Sequence, residues 1–224
     1  NYSRFFFKTD QEENDMSASS YIRKHINSLE KGQIFTTREM LNYGSRAAVD
    51  NTLFRMVDKG LIDRLTSGVF VKPDHKGPNI TAWQVACVKA KAFGKKIVRH
   101  EADIAADLDL EVEPNEKIVF RVSGRSTHFR FGLKVIHFKG TSQKTLMLGN
   151  SKAGEMLRAL HYVLPVKQWL TATRHHVRTV AAAGLNRFDR IEIRRSCPWI
   201  PSWLSDICLG DERPWIGIYS LPDP

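Results

Sequence analysis

Hydrophobic residues near the amino end of the chain recur with a helical period. Ile22, Ile26 and Leu29 fall on one helical face and predict a packing helix over residues 20–31. The same spacing returns over residues 46–59. These segments predict helices whose apolar faces pack into a common core.

Polar residues between these segments mark where the helices begin and end. Thr36 followed by Glu39 is a capping box, in which side chains satisfy free amides of the first turn, and it predicts a short helix. That helix is expected to stop near Gly44 in a left-handed conformation, and Ser45 is expected to cap the next helix. Two capped helices are therefore predicted in succession.

Two apolar runs follow, over residues 61–65 and 69–72, and Thr66-Ser67-Gly68 separates them. This pattern predicts two strands joined by a tight turn. Two helices followed by a hairpin are typical of a winged helix-turn-helix, whose second motif helix reads the major groove of DNA. Residues 20–75 are accordingly predicted to form such a domain.

The predicted helix over residues 46–59 has two chemically different faces. The apolar face carries Val49, Leu53, Met56 and Val57, and the opposite face carries Ala47, Ala48, Asn51 and Arg55. Small residues let a helix approach base edges, while Asn and Arg form bidentate hydrogen bonds with adenine and guanine. A basic residue at the amino end can instead hold a phosphate. The predicted DNA contacts are Arg46, Ala47, Asn51, Thr52 and Arg55 on the helix, and Arg64, Ser67 and Lys72 on the hairpin.

A helix face exposed to solvent in a domain that binds protein would show the same pattern. Winged helices also serve as protein-interaction modules, so an adaptor remains the alternative to a DNA-binding protein. The two predict different behaviour, because an adaptor would bind DNA weakly and without sequence preference but would form a stable complex with another protein.

One series of residues in this region is distinctive: Phe35-Thr36-Thr37, Gly44-Ser45-Arg46-Ala47-Ala48-Val49-Asp50, Leu53, Arg55-Met56-Val57, Gly60-Leu61-Ile62 and Gly68-Val69-Phe70. It resembles the amino-terminal domain of AbiEi-type antitoxins, and Pro201-Ser-Trp-Leu-Ser-Asp-Ile207 is similar to a closing segment in one branch of that group. The resemblance implies a transcriptional repressor of a type IV toxin-antitoxin system. Such a protein binds inverted repeats in its own promoter, here as a monomer or weak dimer, and counteracts a nucleotidyltransferase toxin.

The net charge of +10 is unevenly distributed along the 224 residues. Residues 117–195 contain sixteen Lys and Arg against three Asp and Glu, whereas residues 1–75 contain eleven against ten. A basic second half can follow phosphates beside the reading helix, face an acidic partner or RNA, or only favour solubility. DNA binding by residues 20–75 therefore requires that their basic side chains gather on one side.

Composition limits the cellular setting. No apolar run approaches the ~20 residues needed to cross a bilayer. The three cysteines, Cys87, Cys197 and Cys208, lack paired close spacing, so neither a disulfide framework nor a zinc site is expected. These features favour a reducing cytoplasm.

The second half of the chain predicts a mixed fold. Residues 72–79 contain turn formers and predict a linker, which separates an extension (residues 1–19) and the winged helix from a domain over residues 76–224. Helices are predicted over residues 81–93, 102–108, 151–162 and 166–183, and strands over residues 96–99, 117–122, 127–131, 134–139 and 144–147. Pro165 is expected to end one helix, and Trp199, Trp203 and Trp215 are expected to be core or interface anchors. The predicted class is α+β, an N-terminal winged helix-turn-helix followed by a mixed α+β domain with a Trp- and Pro-rich tail.

Catalytic patterns are weak. Asp189, Glu192 and Arg194 resemble a nuclease-like cluster that could hold magnesium, but their close spacing favours a charged strand face. His175 and His176 lie about 100° apart on a helix, so they do not face one metal together. No phosphate-binding loop or nucleophile motif is present. We therefore expect a non-enzymatic repressor and antitoxin without cofactor or metal, and a magnesium-dependent nucleic-acid-processing enzyme is the least favoured alternative.

Overall fold

The computed structural model describes residues 17–74, 80–166 and 171–210. It is a mixture of α-helices and two β-sheets, so the predicted α+β class is confirmed. Contacts within the chain divide it into a first unit, residues 1–95 with 128–136, and a second unit, residues 96–127 with 137–224. Most of the predicted extension and linker, and Trp215 in the tail, lie outside the described residues.

Two helices of the first unit begin where the sequence predicts caps, at Thr36 and Ser45, and the structure adds a cap at Thr81. The elements of this unit are α1 (Ala18–Ser28), β1 (Ile34–Thr36), α2 (Thr37–Met40) continued by a 3-10 turn (Leu41–Tyr43), α3 (Arg46–Asp58), β2 (Asp63–Thr66), β3 (Val69–Val71) and α4 (Ala82–Ala92). The Ser45 hydroxyl accepts a hydrogen bond from the Ala48 amide at 3.3 Å, and Thr81 forms a full capping box with Gln84. These caps fix the first turns of α3 and α4.

The first sheet contains a strand that the sequence analysis missed. The strand order is β1-β3-β2, and both pairs are antiparallel. In β1, Phe35 lies opposite Phe70, and their rings stack with centroids 5.8 Å apart. A cluster of buried residues joins this sheet to the helices: Ile22, Ile26, Phe35, Met40, Val49, Leu53, Met56, Ile62 and Phe70. The apolar faces predicted for α1 and α3 are therefore buried together.

Gly44 corrects one prediction. The sequence analysis expected a left-handed residue, but Gly44 is extended, with φ 169° and ψ −178°. A β-carbon at this position would lie 2.7 Å from the Ala18 Cβ, which is closer than two carbon atoms pack. Glycine is therefore required by the close approach of α1 to the start of α3, and not by backbone conformation.

A Gly44→Ala substitution is expected to destabilise the protein by about 1–3 kcal/mol because the added methyl group overpacks this contact. Urea denaturation of the variant measures the loss. The matched control is Ala18→Gly combined with Gly44→Ala, which moves the methyl group from one side of the contact to the other. If the double variant is no more stable than Gly44→Ala alone, the contact between the two residues is not the cause.

The second unit contains most of the remaining elements. They are β4 (Ile97–Arg99), α5 (Glu101–Asp107), β5 (Ile118–Val122), β6 (Thr127–Phe131), β7 (Lys134–Gly140), α6 (Lys152–Val166), α7 (Thr171–Gly184), α8 (Arg187–Ser196) and α9 (Ser202–Leu209). Residues 128–136, which form most of β6 and the start of β7, belong to the first unit by their contacts. The second sheet has the order β4-β5-β7-β6. Buried residues of α5 to α9 form a separate core, and Trp199 and Trp203 pack against it, as predicted.

Three predictions for this half were wrong. Residues 144–147 form turns instead of a strand. Helix α6 includes Pro165, which stands in its last turn, where a proline removes only one late helical hydrogen bond. Residues 189–194 lie in helix α8, because Asn186 caps it and Asp189 completes a capping box. The charged residues of this segment are therefore not a strand face.

None of the helices in the described residues is long and apolar enough to cross a membrane. Cys87, Cys197 and Cys208 are all free thiols.

Candidate nucleic-acid interface

Helix α3 has one buried face and one exposed face. The buried side chains are Val49, Thr52, Leu53 and Met56. The opposite, exposed face, which we call the outer face of α3, consists of Ala47, Asn51, Phe54 and Asp58. Arg46 and Arg55 are also exposed, and nine residues at 100° each place them on opposite flanks of this face, roughly 180° apart. The outer face is therefore bordered by a guanidinium group on each side.

Two of the predicted contact residues have other roles in the structure. Thr52 is only 5% exposed, and its hydroxyl donates a hydrogen bond to the Ala48 carbonyl at 2.7 Å. The Lys72 ammonium donates hydrogen bonds to the carbonyls of Asn27 at 2.6 Å and Leu29 at 2.7 Å, at the carboxy end of α1. Thr52 thus helps to bury α3, and Lys72 satisfies the free carbonyls that end α1.

The amino end of α3 opens onto a groove of about 240 Å³, which we call the basic groove. Its basic wall residues are Arg38 at the start of α2, Arg46 at the start of α3, and Lys89 of α4. Ser67 and Gly68, in the turn between β2 and β3, also line the groove. The groove thus brings together basic side chains from the helix pair and α4, whereas Arg55, Arg64 and Lys72 do not border it.

Lys89 ties α4 to the hairpin. Its ammonium donates a hydrogen bond to the Ser67 carbonyl at 2.8 Å and lies 4.9 Å from the centre of the Phe129 ring. Burial, and secondarily the nearby Arg64 guanidinium, lowers the pKa of Lys89 below its usual value. Two cations held near each other in this way favour an anion between or beside them.

Arg46 is held only loosely. Its guanidinium lies 2.7 Å from the Asp50 carboxylate one turn along α3, and both side chains are more than half exposed. An exposed pair at this spacing contributes only about 0.3–0.5 kcal/mol. Arg46 can therefore exchange Asp50 for a phosphate group at little cost.

Two residues of this surface were missed by the sequence analysis. Phe54 is 72% exposed on the outer face, although an apolar side chain is usually expected to be buried. Lys89 was assigned to the second domain, because the chain gives no local signal of its bond to the turn twenty-two residues earlier. For Phe54 a signal existed: on a helical wheel it falls beside Ala47, roughly 20° away, and away from the apolar stripe.

The first unit is more basic than residues 1–75 alone. The first unit contains seventeen Lys and Arg against ten Asp and Glu, since α4 and the hairpin tip add basic residues and no acidic ones. The near neutrality of residues 1–75 is therefore not a property of the folded unit.

The residues considered for catalysis or metal binding have structural contacts instead. The Asp189 carboxylate accepts a hydrogen bond from the Asn186 amide at 2.9 Å, and His176 Nε2 lies 2.9 Å from the Asp109 carbonyl. Within residues 17–74, 80–166 and 171–210, no three His, Cys, Asp or Glu side chains are grouped so that they could hold a metal ion. Asp189 therefore stabilises the start of α8.

Comparisons with known proteins give one match. The searches of curated proteins and of solved structures found no match to this chain. The sequence model of the family of unknown function DUF6088 matches residues 21–183, which is more than half of the chain. The chain therefore belongs to the DUF6088 family.

Proposed function

We propose that the first unit is a winged helix-turn-helix that binds double-stranded DNA, and that the protein is a transcriptional repressor. The observation that carries this proposal is the outer face of α3, which is exposed, bordered by Arg46 and Arg55, and continuous at its amino end with the basic groove. A helix placed in the major groove needs this combination of a narrow exposed face and flanking cations.

Each side chain has a distinct part in this reading. Asn51 and Arg55 reach base edges, where their amide and guanidinium groups form paired hydrogen bonds with adenine and guanine. Ala47 is small enough to let the start of α3 enter the groove. Arg38, Arg46 and Lys89 hold phosphates, and Arg64 and Ser67 extend this contact along the hairpin. Thr52 and Lys72 form hydrogen bonds within the unit, so we no longer include them among the proposed DNA contacts.

We add Phe54 to the proposed DNA contacts. A phenyl ring on the outer face can pack against the C5-methyl group of thymine, which gives a base preference without a hydrogen bond.

The biological setting is proposed from the resemblance to AbiEi-type antitoxins. An inverted repeat contains two half-sites, so we expect two copies of the protein to bind each such site in the promoter. The second unit would then counteract a nucleotidyltransferase toxin in the cytoplasm. A neighbouring gene that encodes such an enzyme would support this part of the proposal independently of DNA binding.

The experiment that tests DNA binding is a titration of the protein's own upstream duplex and a scrambled duplex over a range of salt concentrations. A sequence-specific reader prefers the upstream duplex at every salt concentration, and the logarithm of its affinity falls linearly with the logarithm of salt concentration. Equal affinity for both duplexes would contradict the proposal.

Arg55→Ala is expected to weaken binding to the upstream duplex by about 1–3 kcal/mol and to relax the preference at one base position. Arg55→Lys is the matched control, since it keeps the charge but loses the planar pair of donors. If Arg55 reads a base, the lysine variant keeps the salt dependence and loses the preference. Unchanged mobility shifts for both variants would remove Arg55 from the recognition set.

A protein-interaction adaptor is the second candidate, and the exposure of Phe54 beside Asp58 favours it. Aromatic side chains anchor protein interfaces, and an acidic residue on the outer face is unfavourable next to phosphates. Phe54→Ala separates the two candidates. In an adaptor it disrupts the complex with the partner protein and leaves DNA affinity unchanged, whereas in a DNA reader it weakens binding to the upstream duplex.

A further inference from the structure

The second unit contains a cavity of about 320 Å³ that the proposed DNA binding does not use. Its polar wall residues include Lys144, Arg158 and His161, and its apolar wall includes Leu157 and Trp199. A concave site of this size, lined by both apolar and charged side chains, can hold a small molecule.

Arg158 is the unusual member of this wall. It is only 6% exposed, and its Nη1 donates a hydrogen bond to the Gly149 carbonyl at 2.7 Å. Its Nε and Nη2 are buried and have no hydrogen-bond partner among the described residues. Burial lowers the pKa of Arg158, which reflects the cost of holding this charge away from water. A buried guanidinium with unused donors is unfavourable unless another group compensates it.

Glu101 also borders the cavity, and the Glu155 and Glu101 carboxylates offset part of the cost of burying the Arg158 charge. The Glu101 carboxylate accepts a hydrogen bond from Arg121 Nε at 2.7 Å. Burial alone would raise the pKa of Glu101, but the Arg121 guanidinium holds it below its usual value. Glu101 is therefore charged, but its hydrogen bond is made with Arg121, and Arg158 Nε and Nη2 remain without a hydrogen-bond partner among the described residues.

The rest of the wall suits an anion that carries an apolar part. Lys144 Nζ lies 5.7 Å from the centre of the Trp199 ring, at the same cavity. The Trp199 indole N–H is buried without a hydrogen-bond partner among the described residues, so it is a further unused donor. Cys197, another wall residue, has its thiol pKa raised by burial and adds an uncharged surface.

We propose that this cavity binds a small organic anion through Arg158 and Lys144, with its planar or apolar part against Trp199. A carboxylate and a phosphate share the chemistry that this wall recognises, since both accept charge-assisted hydrogen bonds from guanidinium and ammonium groups. The site lies within the second unit and does not depend on whether the first unit binds DNA.

The test is isothermal titration calorimetry of the full chain with phenyl phosphate, benzoate and the neutral benzyl alcohol in a phosphate-free buffer. We expect at least one of the two anions to bind about tenfold or more tightly than benzyl alcohol, and the better anion identifies the headgroup. Arg158→Met and Lys144→Ala should each weaken that anion about tenfold. Lys152→Ala, which removes an exposed lysine that does not border the cavity, is the control and should leave the affinity unchanged.

Thermal unfolding without added anion distinguishes a binding role of Arg158 from a structural one. A buried charge that awaits a ligand costs stability, so Arg158→Met should have the same Tm as the wild type or a higher one. If Arg158→Met does not fold, Lys144→Ala decides the question, because Lys144 is exposed. The proposal is overturned if neither anion binds more tightly than benzyl alcohol, or if Lys144→Ala binds the anion as well as the wild type does.

Discussion

An Ala47→Glu variant is expected to bind its upstream duplex about 100-fold more weakly than the wild type while remaining as stable. Ala47 is exposed at the second position of α3, on the outer face and next to Arg46. In the proposed complex, a carboxylate there would meet the phosphates and base acceptors of the major groove, and like charges brought together at an interface cost several kcal/mol. The loss should appear in the titration with the upstream duplex.

The same substitution should not harm folding. A carboxylate in the first turn of a helix interacts favourably with the free amides at the helix start, by about 0.3–1 kcal/mol. This gain offsets the slightly lower helix propensity of glutamate compared with alanine. Chemical denaturation of the variant is therefore expected to match the wild type, and any loss of DNA binding is then not caused by unfolding.

Ala47→Gln is the matched control, because glutamine has nearly the same size as glutamate and no charge. If charge is the cause, Ala47→Gln retains most of the affinity that Ala47→Glu loses. Equal losses for both variants would indicate that the outer face tolerates only a small residue at this point. Wild-type affinity in Ala47→Glu would exclude the amino end of α3 from the DNA interface.

The parts of the fold that the sequence predicted correctly are those with local causes. The start of α3 follows from Ser45, whose hydroxyl accepts a hydrogen bond from the amide three residues later. The apolar face of α3 follows from helical spacing alone. Such signals lie within one or two turns of the chain, so a single sequence contains them.

The parts that were missed depend on distant residues. Strand β1 is three residues long and exists because Ile34–Thr36 pairs with β3, more than thirty residues later. The extended conformation of Gly44 is explained by Ala18, and the role of Lys72 is explained by carbonyls more than forty residues earlier. Secondary-structure propensity cannot reveal these contacts, because it depends on residues adjacent in sequence and not on residues brought close by folding.

The candidate site divides in the same way. Arg46, Ala47, Asn51 and Arg55 were predicted from helical spacing, and all four are exposed. Thr52 was misplaced because its hydroxyl can bond a carbonyl one turn earlier on its own helix and so tolerate burial. The contribution of Lys89 to the basic groove depends on the packing of α4 against β1 and β3, which no local pattern predicts.

A Phe35→Ala substitution is expected to destabilise the first unit by about 3–5 kcal/mol, the largest stability effect that we predict. Phe35 is 1% exposed, and its ring packs on Phe70 within the cluster that joins the sheet to α1 and α3. Removing it leaves a cavity that a three-residue strand cannot close by itself. Urea denaturation followed by circular dichroism measures the loss.

Phe54→Ala is the matched control, because it removes the same ring from a position that is 72% exposed. Alanine favours a helix more than phenylalanine does, so this variant should be as stable as the wild type or slightly more stable. Phe35→Ala should also lose binding to the upstream duplex, because α3 is held against the sheet by the core that Phe35 fills. Wild-type DNA affinity in a Phe35→Ala protein whose first unit is unfolded would show that α3 is not the reading helix.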